Sequence, residues 1–169
     1  MAYVHDTHFS QFTPPNLCAY TAGTWTPTVA SNVLSDVRTA ADASFSIYIP
    51  ILLPSNESVK KGAYLKSIDI FYKIATAAAD DFTVRSLSKM TLPAHGTAVT
   101  GAAVTVSLDT GNDTDAECKA VGDHTMTITV TTPVWVDDGE CFFVTLTVDA
   151  AATTAFNWFG AVAHFTLRC

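Results

Sequence analysis

Charge is what this sequence has least of. Asp, Glu, Lys and Arg make up 15% of its 169 residues, against roughly 25% in an ordinary soluble domain. Basic charge is scarcer still, with nine Lys and Arg against sixteen Asp and Glu and a formal net charge of −7. No Lys or Arg precedes Arg38, and the nearest approach to a basic patch is Lys60-Lys61 with Lys66. Direct nucleic-acid binding therefore has no electrostatic footing. No apolar run is long enough to span a bilayer, so no membrane role is expected. The four cysteines, Cys18, Cys118, Cys141 and Cys169, lack the close pairs of a zinc site. The opening Met1–Asp6 lacks the basic and apolar regions of a secretory signal. Synthesis in a reducing cytoplasm is expected, and with it buried free thiols rather than bridges. No serine or cysteine stands in a nucleophile elbow such as G-x-S-x-G, and no enzymatic activity is expected.

What the chain has in abundance is alternation. Met126, Ile128 and Val130 alternate with Thr125, Thr127, Thr129 and Thr131. Phe142, Val144, Leu146 and Val148 alternate with Phe143, Thr145, Thr147 and Asp149. Strict period two means strands with one face buried and one wet. Further strands are predicted over 24–30, 43–53, 64–75, 82–90, 102–108 and 156–167. Pro50 points to an edge or bend in the second of these. Thr114-Asp115-Ala116-Glu117 has capping-box spacing and Gly122 is a stop, so one short helix is predicted over 115–121. Seven or eight strands without a long helix predict an all-β, antiparallel two-sheet sandwich. A jelly roll fits the count, and an immunoglobulin-like sandwich is the alternative.

Residues 1–23 read as an arm preceding a sandwich domain over 24–169. Tyr3, Phe9, Phe12, Leu17 and Tyr20 are apolar without a clean period, and Pro14-Pro15 bars a regular helix. Such residues must lie against something, either a partner or the chain's own sandwich. The segment Asp109, Asn112, Asp113, Asp115 and Glu117 offers hard oxygen ligands for calcium; the competing reading is a turn leading into a capped helix. His5 and His8 are too few for a metal site by themselves. Trp25, Trp135, Trp158, Tyr48, Tyr64 and Tyr72 are candidate stacking platforms for sugars, or core.

The arm 1–23, the block Phe45–Ile51 running into Leu52-Leu53-Pro54, and the threonine-alternating pair 124–149 together resemble a single-jelly-roll structural protein of a virus or phage particle. The resemblance is architectural and rests on no diagnostic motif. It implies a capsid or decoration (cement) protein in the virion, self-associating as a homo-oligomer, often a trimer, and touching other capsid proteins. The uncharged arm departs from the basic arms of genome-packaging shell proteins, so decoration or a minor capsid role fits better. The alternative is a lectin-like carbohydrate-binding sandwich, with calcium as its only candidate cofactor.

Overall fold

The computed structural model describes residues 6–52, 63–93, 97–136 and 139–168. In chain order the strands are β1 (Asp6–Thr13), β2 (Ala19–Tyr20), β3 (Trp25–Ala30), β4 (Val33–Arg38), β5 (Ala43–Ile51), β6 (Ala63–Ala75) and β7 (Asp81–Thr91). They continue with β8 (Thr100–Val104), β9 (Val106–Leu108), β10 (Gly122–Val136), β11 (Glu140–Ala150) and β12 (Ala155–Arg168). A 3₁₀ turn, Pro15–Leu17, follows β1, and one helix, α1 (Asp115–Cys118), precedes β10. No helix among the described residues is long and apolar enough to cross a membrane.

Two antiparallel sheets form the sandwich. One runs β3-β4-β12-β6-β10-β9 with β1 also paired to β12; the other runs β2-β5-β11-β7-β8. The order β4-β12-β6-β10 facing β5-β11-β7-β8 is the winding of a jelly roll, in which the chain crosses between the sheets from β4 to β5, β5 to β6, β6 to β7, β10 to β11 and β11 to β12. Strands β8 and β9 are one extended segment handed from the second sheet to the first at Thr105.

Alternation explains the core. Ile68, Ile70, Tyr72 and Ile74 of β6 meet Ile47 and Ile49 of β5, Leu146 and Val148 of β11, and Phe156, Trp158 and Phe165 of β12, all almost fully buried. Tyr72 stacks on Phe156 with centroids 5.3 Å apart, and its hydroxyl donates to the Cys118 carbonyl at 2.9 Å. That bond ties α1 to the core. The helix is shorter than the sequence predicts, because Gly122 already begins β10 and its ladder with β6.

Strand β4 was not predicted, and its pattern shows why. Val33 and Leu34 are exposed while Ser35, Asp36 and Arg38 are buried, the reverse of the usual period. Arg38 lies over the Phe45 ring at 4.5 Å and donates to the carbonyls of Ala41 and Ala43. Asp36 Oδ2 accepts the Tyr20 hydroxyl at 2.5 Å, while its buried Oδ1 has no hydrogen-bond partner among the described residues. Tyr20 is thus the donor that makes the buried carboxyl tolerable. Tyr20→Phe is expected to cost about 1–3 kcal/mol, read as a lowered urea midpoint. An unchanged midpoint would show that Asp36 finds another donor.

The leading segment folds against its own chain. Thr7 to Thr13 pair with Leu167 to Ala161 of β12. Phe9 stacks on Phe165 at 4.9 Å and Tyr20 on Trp25 at 4.0 Å. Phe12 and Leu17 stay about half exposed. Tyr3 lies outside the described residues. Cys18, Cys118 and Cys141 are free thiols.

Candidate functional site

The outer face of the five-stranded sheet is built from the wet half of each alternation. From β5 come Ser44, Ser46, Tyr48 and Pro50; from β11, Phe143, Thr145, Thr147 and Asp149; from β7, Ser86, Ser88 and Met90. The register lays them in rows. Tyr48, Thr145 and Ser86 stand abreast, as do Pro50, Phe143, Ser88 and Ala103. Ser46 and Thr147 hydroxyls are 2.8 Å apart, and Ser44 donates to Asp149 Oδ1 at 2.7 Å. None of these outward positions carries a positive charge.

Next to the rows the face dips. Gly101 and Ala103 of β8 have almost no side chain, so the surface sinks beyond Phe143 into a shallow cleft of about 350 Å³ walled by Ser88, Met90, Val99 and Phe143. Tyr48 stands edge-on to Phe143, with ring centroids 6.4 Å apart, and 40% of Tyr48 is exposed. The result is an aromatic shelf, a small hollow and a border of hydroxyls. Chemically it offers ring faces for C–H groups and donors and acceptors for hydroxyls. A second cleft of about 490 Å³ opens at the sandwich rim between Lys89, Val104, Pro133 and Trp135. There Lys89 is ion-paired with Glu140, and Trp135 packs edge-on to Tyr64.

Of the six aromatics that the sequence offers as platforms, only Tyr48 lies on an open face. Trp158 and Tyr72 are buried, Trp25 lies beneath Tyr20, and Trp135 and Tyr64 are half-buried against each other. In the sequence Phe143 stands only as one position of the alternating run 142–149. The signal for it was its place outside the buried Phe142 and Val144.

The acidic segment is spent on local structure. Asp109 Oδ1 accepts the Thr127 amide at 2.7 Å and its Oδ2 accepts the Asn112 side-chain amide at 2.8 Å. Asn112 is buried. Thr114 and Glu117 form both halves of the capping box. Asp115 takes the Phe82 amide and pairs with Lys119 at 3.1 Å; Asp113 is exposed. Among the described residues no three His, Cys, Asp or Glu side chains converge as a metal would require.

These contacts carry a pH dependence. The Thr114 hydroxyl and amide hold the Glu117 carboxyl below its usual range. At Asp115 burial pushes upward, but Lys119 and the Phe82 amide outweigh it and the carboxyl is lowered. A carboxyl lowered by folding stabilises the fold above its unfolded pKa and stops doing so as pH falls through the lowered value. Protection of the Glu117 and Phe82 amides, relative to their intrinsic exchange rates, is therefore expected to fall as pH drops below the ordinary carboxylate range, ahead of the strand core. A uniform loss of protection along the chain would contradict this.

No family model matches the chain, and no curated protein sequence matches it. Among solved structures it is similar to TmCBM61, described in complex with β-1,4-galactotriose, at 10% identity and a TM-score of 0.38, covering 92% of this chain and 86% of that one. It is also similar to the enzymatically active domain of the bacteriophage CBA120 tailspike protein 4, at 10% identity and a TM-score of 0.32. That match covers 92% of this chain and 19% of the tailspike chain. Both likenesses are distant.

Proposed function

We propose that this sandwich binds a neutral saccharide on the outer face of its five-stranded sheet. The carrying observation is the Tyr48–Phe143 shelf beside the hollow over Gly101 and Ala103, bordered by Ser88, Thr145 and Ser86. Sugar rings present an apolar C–H face and an equatorial belt of hydroxyls, and this surface has a counterpart for each. Without cations among the described residues of the shelf, uronic or sulfated sugars gain nothing from them. With the acidic segment engaged in its own turn, binding is expected to survive chelation.

A glycan array followed by titration calorimetry tests the reading. Phe143→Ala is expected to weaken binding about tenfold, the equivalent of about 1.4 kcal/mol of lost ring contact. Absence of binding to any neutral oligosaccharide, or affinity untouched by Phe143→Ala, would defeat it.

A second reading, a decoration or minor capsid component of a particle, is favoured by one observation. The β3–β4 hairpin pairs with β12 only through Asp36–Arg38, so its tip projects with Val29 (71% exposed), Val33 and Leu34 uncovered. Val29 and Leu34 are paired across the hairpin, and adjacent exposed apolar side chains suit a contact with another protein. Light scattering would show a trimer or larger oligomer on this reading, dissociated by Val29→Ser with Leu34→Ser. A concentration-independent monomer would argue against it.

A further inference from the structure

The outer face of the seven-stranded sheet holds a serine, a histidine and an aspartate on three adjacent strands. Ser10 of β1 lies opposite His164 of β12, with its Oγ 2.8 Å from His164 Nδ1. Nε2 of the same ring is 2.9 Å from Asp69 Oδ2 of β6. Thr127 of β10 donates to the other carboxylate oxygen at 2.7 Å. With the imidazole neutral, the form that acts as a base, the proton inventory closes in one way. An ionised carboxylate only accepts, so Nε2 carries the hydrogen and donates it to Asp69. Nδ1 then has a free lone pair, and the Ser10 hydroxyl donates to it. That is a nucleophile, a base and a carboxylate that orients the base. The two ring nitrogens are exchanged relative to the serine-protease arrangement, which changes the approach angle and leaves the proton logic intact. Ser10 is exposed, and Phe12 and Val162 lie side by side next to the trio as an apolar ledge.

We propose that Ser10 is an activated nucleophile that takes the acyl group of neutral carboxylic esters with a short apolar chain. Ser10 Oγ attacks the carbonyl carbon and its proton passes to His164 Nδ1. The carbon–oxygen bond to the alcohol breaks, and the alcohol leaves with that proton. Ser10 is left as an ester and the imidazole neutral. Water, deprotonated by Nδ1, then attacks the acyl-serine, releasing the carboxylic acid and restoring Ser10. The trio itself supplies no converging pair of N–H donors for the oxyanion. Losing even one such donor slows enzymes by about 100- to 1000-fold and does so in both steps, so turnover is slow; with an activated ester, whose alcohol leaves more readily than Ser10 does, acylation outruns deacylation and the acyl-serine accumulates. Asp69 is a positioning residue that acts through His164.

The test treats the whole protein with p-nitrophenyl butyrate, follows nitrophenolate release and maps the adduct by mass spectrometry. One butyryl group on Ser10 is expected, absent in Ser10→Ala. His164→Gln should slow acylation at least tenfold, and Asp69→Asn should slow it and displace its pH profile. Ser67→Ala, across the ladder from His164, should change nothing. Melting curves establish that each variant is folded. As an independent measurement, Ser10→Cys should be alkylated by iodoacetamide faster with His164 present than with glutamine there. Label on Ser67, label scattered over lysines, no label, or a rate indifferent to His164→Gln would each overturn the proposal.

Discussion

Replacing Gly160 by valine is expected to lift β1 off the sandwich. Gly160 sits at a register shift in β12, where pairing with β4 ends at Trp158 and pairing with β1 begins at Ala161. Its φ is +111°, a conformation that strains any residue with a side chain by roughly 1–3 kcal/mol. A Cβ there would also stand 2.5 Å from the Thr13 carbonyl oxygen and 3.0 Å from the Phe12 ring. The first contact is with backbone, so no rotamer relieves it, and β1 must move. Strain and overlap together are expected to cost roughly 2–5 kcal/mol. Amide exchange should show β1 unprotected while β6 and β11 stay protected, and a protease should remove the leading residues. The Ser10–His164 contact would be lost with the strand, so acylation of Ser10 should fall as well. Native protection of β1 in the valine variant would refute the argument.

Trp158→Ala is expected to produce the largest loss of stability from a single side chain. Trp158 is the largest fully buried residue, and its indole N–H donates to Cys18 Sγ at 3.3 Å. Truncating a buried tryptophan costs roughly 3–5 kcal/mol, because a cavity remains where the ring was. At this chain length the melting temperature should fall by roughly 6–20 °C. Cys18 supplies a second readout. Burial above all, with the Asp36 charge adding and the Trp158 bond subtracting, pushes its thiol up to about 11. Loss of the ring admits water and removes the largest of these causes, so the pKa should fall. Iodoacetamide at mildly alkaline pH should then modify Cys18 faster than in the parent, below the melting transition. Equal alkylation rates would mean that the cavity collapses around the thiol.

The sandwich was legible wherever one face of a strand is uniformly apolar. Strand β11, β6 from Ile68 to Ile74 and β10 from Met126 to Val130 carry their buried residues on every second position, and the sheet packs that face. Strand β4 was not legible, because its inward positions are Asp36 and Arg38, satisfied by Tyr20 and by carbonyls that no local pattern announces. Strand β1 was hidden because it borrows its order from β12 rather than from its own periodicity. The capping box was legible in four residues, since its chemistry is local. The polar trio could not be read at all. Ser10 and His164 are 154 positions apart and His164 and Asp69 are 95 apart, and only the register of three strands unites them. Tyr48 stood out as an aromatic, but the hollow beside Phe143 depends on the small residues of β8, two strands away from Tyr48's neighbour β11 in the opposite direction from β5.

The place of β12 bears on how the molecule is made. It is the last described strand in chain order, yet it lies inside its sheet, with β6 along one edge and both β4 and β1 along the other. A ribosome delivers it after every strand it must join. Until it emerges, β6 offers an open edge to any passing chain, and β1 and the β3–β4 hairpin have no strand to join. The nascent polypeptide therefore waits with half a sheet missing, and a chaperone that shields extended segments should raise its yield.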